Sequence, residues 1–197
     1  GSKKKKGAVN ETQPIDLCAL AINLGCSFVA RSFSGSKKQL TAIIKAAMSH
    51  KGFALIDVIS PCVTFNNNDE SLRSYGYVKG SQSELHSVGY IPHFSPVEQV
   101  EVPAGSYRDI TLHDGSTMRL ETISEEHDIG DAVAALAAIH EADAERKHVM
   151  GLLYFDGEKP ALEDELNLHE TPLVEMQEDI LRPSKDALES VISSLRG

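Results

Sequence analysis

Two groups of residues in this 197-residue chain are of the kinds that do chemistry. The first is Cys62, which follows Pro61 just beyond the apolar run FALIDVI, residues 53–59. So apolar a run predicts a strand buried on both faces, as parallel strands between helices are. In open α/β sheets ligands gather at the carboxyl ends of the strands, and Cys62 falls on that edge. A thiolate there is a metal ligand or a redox group. The plainer alternative is a small buried hydrophobe, since free cysteine is among the most buried residue types. A lone cysteine makes no metal site, because structural zinc and iron–sulfur centres take about four ligands. Cys18 and Cys26 are expected to pack in apolar faces, so a cluster at Cys62 must find its other ligands elsewhere.

The second group is Ser34, Gly35, Ser36, Lys37 and Lys38. Free N–H groups at a helix start attract anions, Gly35 permits close approach to the backbone, and lysine adds a point charge suited to phosphate. The spacing is not that of a P-loop, and a solvated helix cap is the plainer alternative. This helix is expected to begin at the same sheet edge as Cys62. The eight histidines show no metal-ligand spacing. His140 reads as a helix-face residue, His113 as a neighbour of a hairpin turn, and Glu125, Glu126 and Asp128 as a solvated run entering a helix. No Ser-His-Asp or Cys-His arrangement and no dinucleotide fingerprint is evident.

The elements that must position these groups follow from pattern. Residues 1–13 read as a polar linker. Pro14 opens a helix with Leu17, Leu20, Ala21 and Leu24 as its buried stripe, and Gly25 ends it. Residues 26–31 read as a short buried strand. Ser36 and Gln39 have capping-box spacing before a helix with Leu40, Ile43, Ile44, Ala47 and Met48 on one face. His50 and Lys51 suit its C-terminus, Gly52 stops it, and the strand of residues 53–59 completes a βαβ unit. From residue 70 to 126 the chain turns β-rich, with a hairpin signal at Asp114-Gly115. The α/β rhythm then returns. Asp128 is expected to cap a helix burying Val133, Leu136, Ala137 and His140, residues 149–155 form a buried strand, and Ser184 caps a last amphipathic helix with Leu188, Val191, Ile192 and Leu195 along one side. The predicted organisation is therefore a linker (1–13), a βαβ portion (14–69), a β-rich insertion (70–126) and an acidic α/β extension (127–197).

Charge is unevenly shared. Residues 1–120 hold 13 Lys/Arg against 10 Asp/Glu, net +3, whereas residues 121–197 hold 6 against 19, net −13. That acidity argues against nucleic acid and against an anionic membrane surface as partners. No apolar run approaches the roughly 20 residues of a membrane span. Three cysteines do not suggest a disulfide framework, so the cytoplasm is the expected compartment.

Residues 26–67, CSFVARSFSGSKKQLTAIIKAAMSHKGFALIDVISPCVTFNN, resemble the β subunit of 2-oxoacid:ferredoxin oxidoreductases. The shared pattern is a Phe-Val-Ala-Arg strand (residues 28–31), a basic amphipathic helix (38–48), His-Lys-Gly (50–52), and a strand ending in Pro-Cys and Thr-Phe-Asn (61–66). The likeness continues more loosely through residues 128–141, 151–155 and 170–174. It implies part of a thiamine diphosphate-binding α/β fold, a parallel sheet flanked by helices, with a hairpin-bearing insertion and a helical tail. It implies thiamine diphosphate with Mg2+, a 4Fe-4S cluster, and coenzyme A as co-substrate in oxidative decarboxylation of a 2-oxoacid, with the cofactor ring as electron sink. The 2-oxoglutarate branch is the nearer one. Partners implied are an α subunit and ferredoxin, together with self-association or another partner chain. By this resemblance Cys62 is one of four cluster ligands, and Lys38, with Gly35 and Ser36 beside it, lies on the coenzyme A side.

The Gly-Asp-Gly diphosphate motif and the family's other three cluster cysteines do not occur in these 197 residues. The isolated chain is therefore expected to be inactive. The competing expectation is a non-catalytic binding or assembly module that complements a partner chain.

Overall fold

A computed structural model describes residues 14–64, 67–69, 71–95, 107–121, 127–182 and 184–196. The linker 1–13, Phe65, Asn66, Glu125 and Glu126 lie outside the described residues. The chain divides into two units, residues 1–161 and 162–197.

In the first unit, α1 (Leu17–Asn23), β1 (Phe28–Phe33), α2 (Lys37–Ser49) and β2 (Ala54–Ile59) form the βαβ portion. There follow α3 (Tyr75–Ser81), β3 (Gln82–Glu84), β4 (Ser87–Ile91), β5 (Tyr107–Thr111) and β6 (Thr117–Glu121). Then come α4 (Ala132–Ala144) and β7 (His148–Phe155). The main sheet has the order β2-β1-β7-β3 and the smaller one β4-β6-β5. β1 and β2 are parallel and in register from Phe28↔Ala54 to Phe33↔Ile59. β7 runs antiparallel to β1, so the sheet is mixed and the parallel βαβ unit is one side of it.

The layers follow from alternation along β1. Phe28 and Ala30 face α2, where they join Ala42, Ile43 and Ala46. The other side of α2 meets Val88, Ile110, Leu112, Met118 and Leu120 of the small sheet, so one helix is covered by sheets on two sides. Val29 faces the opposite way, into a core of Cys18, Ala21 and Ile22 of α1 and Ala135, Ile139 and Ala142 of α4. The hairpin forms where Asp114-Gly115 indicates: Gly115 takes φ +79°, and Asp114 Oδ1 accepts from the Ser116 N–H at 2.9 Å. Arg119 and Asp109, register partners across the hairpin, are joined by bonds of 2.8 and 2.7 Å.

Several local expectations are corrected. The stripe of α1 is rotated: Cys18, Ala21 and Ile22 are buried, whereas Leu17, Leu20 and Leu24 are exposed. Pro14 precedes the helix, whose cap is Asp16, accepting from the Ala19 N–H at 2.9 Å. The expected capping box is absent, for Ser36 makes no side-chain cap bond and Gln39 Oε1 accepts from Ser32 Oγ instead. In α2, Ile44 and Met48 are exposed and Ala42 and Ala46 are inside. In α4 the cap is Asp131 rather than Asp128, and Val133 and His140 point outward while Ala135, Ile139 and Ala142 are buried. An alanine-rich helix offers several nearly equal apolar faces, so its neighbours choose between them. The largest correction concerns β2, which is only partly buried along its length, while β1 is buried throughout. The reason is position. β1 has a strand on each side, and β2 is the sheet's edge.

The second unit holds α5 (Leu162–Glu165), a 3-10 turn (Leu173–Glu175), α6 (Glu178–Leu181) and α7 (Lys185–Arg196). Ser184 caps α7, accepting from the Ala187 N–H at 3.1 Å. Leu188, Val191, Ile192 and Leu195 form an exposed stripe, and no hydrophobic residue among those described in this unit is buried.

Candidate functional site at the carboxyl rim of β1 and β2

Parallel register delivers the ends of β1 and β2 to one rim. The Ser34 N–H donates to the Ile59 carbonyl at 3.0 Å, fastening the segment after β1 to the last residue of β2. From this point one branch becomes Gly35, Ser36, Lys37 and Lys38, and the other becomes Ser60, Pro61 and Cys62. Lys37, Lys38 and Gly35 are exposed, and Ser36 is half-buried. Cys62 is a free, exposed thiol. Its loop is held by the Asn67 N–H donating to the Cys62 carbonyl at 3.0 Å, and by the Tyr75 N–H donating to Asn67 Oδ1 at 3.0 Å. The start of α3 is thereby strapped to the cysteine loop. Asn67, Asn68, Asp69, Ser74, Gly76 and Tyr77 line a polar hollow of about 280 Å3 beside it.

Gly35 has a further reason to be glycine. A Cβ there would lie 2.4 Å from the Phe33 ring and 2.9 Å from the Tyr75 ring, and those two rings sit 5.2 Å apart. One side of the Gly35 backbone is therefore closed by aromatic packing rather than open to a ligand. The N–H groups opening α2 have no side-chain cap, which leaves them to water or an anion.

Cys18 and Cys26 are core residues, as expected. Cys18 is fully buried, with Sγ donating to the Ala30 carbonyl at 3.8 Å, and burial pushes its thiol up to about 12. Cys26 donates to the Phe53 carbonyl at 3.0 Å, and burial raises it as well. Neither is a thiolate at neutral pH. Among the described residues no three His, Cys, Asp or Glu side chains lie together as a metal site. Cys62 has no such group of ligands around it among the described residues.

Two buried polar arrangements escaped sequence reasoning. Arg31, almost wholly buried, donates through Nη2 to Asp16 at 2.5 Å and through Nε to Asp57 at 2.9 Å. It ties the cap of α1 to β1 and to β2. Burial works against the charge on Asp16, but the Ala19 N–H and Arg31 outweigh it and hold the carboxyl below its usual range. The available signal was one charge in each apolar strand, Arg31 and Asp57, which are register partners.

The second arrangement is a pair of histidines serving an irregularity between β1 and β7, where the register shifts between Val29 and Ala30. The Leu152 N–H donates to His86 Nε2 at 2.9 Å, and His127 Nε2 donates to the Leu153 carbonyl at 2.9 Å. Gly151, at φ +114°, lies against the His86 ring. Accepting at Nε2 places the His86 proton on Nδ1 in the neutral ring. Burial, with His127 beside it, lowers its pKa to about 4. No spacing rule could link position 86 to position 152.

His50 is likewise not the solvated helix-end cation its position suggests. It is buried, 2.8 Å from Ser27 Oγ, and burial followed by the nearby His113 lowers its pKa.

The fold and site together describe a mixed α/β sheet whose parallel strands present a basic helix start and an exposed thiol on one rim. Residues 1–58 match the family described as thiamine pyrophosphate enzyme, C-terminal TPP binding domain. Over 58 residues the chain is 48% identical to the 2-oxoacid:ferredoxin oxidoreductase subunit beta of Saccharolobus solfataricus, which is 29% of this chain and 19% of that one. Over 59 residues it is 41% identical to the 2-oxoglutarate synthase subunit KorB of Methanocaldococcus jannaschii, covering 30% of this chain and 21% of the relative. These matches thus span about a fifth of the relatives' length. In fold the chain is similar to the 2-oxoglutarate:ferredoxin oxidoreductase from Magnetococcus marinus, solved with 2-oxoglutarate, coenzyme A and succinyl-CoA bound. The TM-score is 0.53 at 20% identity, over 93% of this chain and 45% of that chain. That likeness establishes the fold.

Proposed function

We propose that the chain is the C-terminal part of the β subunit of a 2-oxoacid:ferredoxin oxidoreductase acting on 2-oxoglutarate. In this reading Cys62 supplies one thiolate to a 4Fe-4S cluster whose other three ligands lie outside these 197 residues. Gly35, Ser36 and Lys38 line the coenzyme A side, and thiamine diphosphate with Mg2+ is held by groups this chain does not contain. An α subunit and ferredoxin are the partners, and the cytoplasm is the compartment. Among the described residues no helix is long and apolar enough to cross a membrane. Residues 14–69, 70–126 and 127–197 serve as cofactor-fold portion, insertion and extension.

The observation that carries this reading is the placement of Cys62, free and exposed, on the rim where the uncapped start of α2 also lies. A buried packing cysteine would have looked like Cys18. The choice of 2-oxoglutarate draws support from relatives named for that substrate. The isolated chain does not turn over, because cofactor binding and electron exit both need groups from elsewhere.

The test is reconstitution with iron and sulfide. The chain alone gives no stable brown chromophore, while the chain mixed with a polypeptide bearing Gly-Asp-Gly and the remaining cysteines does, and Cys62→Ser abolishes it. Equal chromophore from the Cys62→Ser chain removes the reading. A non-catalytic assembly module is the second reading, favoured by the lack of any three-residue metal cluster among the described residues. It predicts complex formation with the same polypeptide but no iron uptake.

A further inference from the structure

The corner where α2 ends and β2 begins is fastened to the hairpin insertion by a histidine. The Lys51 N–H donates to His113 Nδ1 at 2.8 Å, across 62 residues of sequence. His113 stands on the tip between β5 and β6, beside the Asp114-Gly115 turn, and is exposed. Its ring lies 5.2 Å from that of His50, which packs in turn against Phe28 at 5.7 Å and Phe155 at 5.4 Å. His50 is only 8% exposed. An exposed imidazole therefore lies over a buried one at the seam between the insertion and the βαβ portion.

The geometry requires both rings to be neutral. Accepting from an N–H takes a bare lone pair on His113 Nδ1, so the proton of that ring is on Nε2. A proton added at Nδ1 turns the acceptor into a donor facing the Lys51 N–H, and the bond is lost. At His50 the Ser27 hydroxyl donates to the Phe53 carbonyl at 3.3 Å and accepts from Nε2 at 2.8 Å. His50 Nδ1 is buried with no hydrogen-bond partner among the described residues. A proton placed there would be a buried donor lacking an acceptor. Burial first, and His113 second, lower the His50 pKa from its ordinary 6.5, whereas Asp156 favours the cation more weakly. Also at this corner are the side chain of Lys51 and that of Asp114, which interacts with Ser49 and His93. Ser49 Oγ lies 2.9 Å from Tyr90 Oη, and Lys45 stands over the Tyr90 ring at 5.8 Å.

We propose that His113 and His50 form a proton-operated latch between the hairpin insertion and the βαβ portion. In acid His113 takes a proton at Nδ1 and releases the Lys51 N–H. The hairpin tip then lifts from the corner and admits water to His50 Nδ1. Repulsion between the two imidazolium rings holds the latch open once both are charged. The closed form binds fewer protons than the open one, so acid favours opening. The contribution of His50 to the closed form is complete above about 6.5 and is lost as pH falls through its lowered value. The hairpin itself persists, because its turn is bonded internally by the Leu112 N–H to the Ser116 carbonyl at 2.8 Å. Leu112 and Met118 also stay in the core against α2. The latch does not depend on the electron-transfer reading, since neither Cys62 nor Lys38 takes part.

Amide hydrogen exchange of the full chain from about pH 8 to about pH 5, the range in which histidines titrate, is the test. Intrinsic exchange rates are divided out, and imidazole NMR gives a second readout. Lys51 exchange should accelerate at least ~10-fold across this range, since each linked proton contributes up to tenfold per pH unit. The amides of β1 and β7 should stay protected. His113 should carry its proton on Nε2 at the alkaline end, and its titration should coincide with the acceleration. His113→Gln keeps an acceptor that does not titrate and should remove most of the acceleration, whereas His86→Gln should leave it. Constant Lys51 exchange overturns the proposal, as does an acceleration undiminished in His113→Gln. An acceleration shared equally by residues 28–33 and 149–155 overturns it too, because that is global acid unfolding. Should the variant fail to fold, the unaltered chain decides: a His113 proton on Nδ1 at the alkaline end removes the latch.

Discussion

Residues 14–161 and 162–197 are built from similar apolar side chains put to opposite use. The first region buries Phe28, Leu152 and Leu153 completely, between helices on one side and a second sheet beyond α2 on the other. The second exposes Leu173, Val174, Leu188, Val191 and Leu195, each more than half accessible. Burying one such side chain stabilises by about 1.5–3 kcal/mol, so a region that buries none among its described residues has little there to set against its chain entropy. The helices of the tail are local structures set by caps and spacing. Those of the first region are held by what they touch.

The sharpest way to break this contrast is Arg31→Ala. It strands Asp16 and Asp57, and removing one member of a buried charge network costs about 3–5 kcal/mol. Because those carboxylates are a third and a quarter exposed, the lower end, about 3 kcal/mol, is expected. Urea unfolding should show the midpoint falling, with far-UV signal from residues 162–197 unaffected by the substitution.

Acid titration is expected to have a similar effect. The His86 pKa is depressed in the folded state, so its contribution is complete above the unfolded value of about 6.5 and is lost as pH falls toward 4. A shift of that size corresponds to about 3 kcal/mol. His86→Gln, which keeps an acceptor for the Leu152 N–H, should flatten the pH dependence of the urea midpoint in that window. An unchanged slope would mean His86 is already charged or accessible.

The smallest effect belongs to the tail. Leu188→Ala and Ile192→Ala each remove exposed apolar surface and should move global stability by less than about 0.5 kcal/mol. A loss near 2 kcal/mol would show that the α7 stripe is buried in solution, and the contrast between the two regions would collapse.

Much of the architecture was legible before any coordinates. The βαβ order of residues 28–59, the Asp114-Gly115 turn, the Ser184 cap and the core placement of Cys18 and Cys26 follow from period, turn chemistry and caps acting over a few residues. What failed were the faces. Leu17, Leu20 and Leu24 carry a sound helical period yet point outward, because Ala21, Cys18 and Ile22 offer an alternative stripe small enough to approach the sheet closely. Residues 53–59 are as apolar as a central strand and lie at the edge.

Local sequence decides which elements form, because helix period, turn chemistry and capping are satisfied within a handful of neighbours. The sequence alone also determined that Pro61 and Cys62 follow a strand and that a basic helix start follows its partner. Tertiary structure alone decided that Arg31 would bridge two aspartates, that His86 and His127 would serve a strand irregularity, and that β2 would be the outermost strand of the sheet among the described residues. Each of these depends on groups far apart in the chain meeting in a medium where an unpaired charge or backbone amide is costly. No residue carries that information by itself.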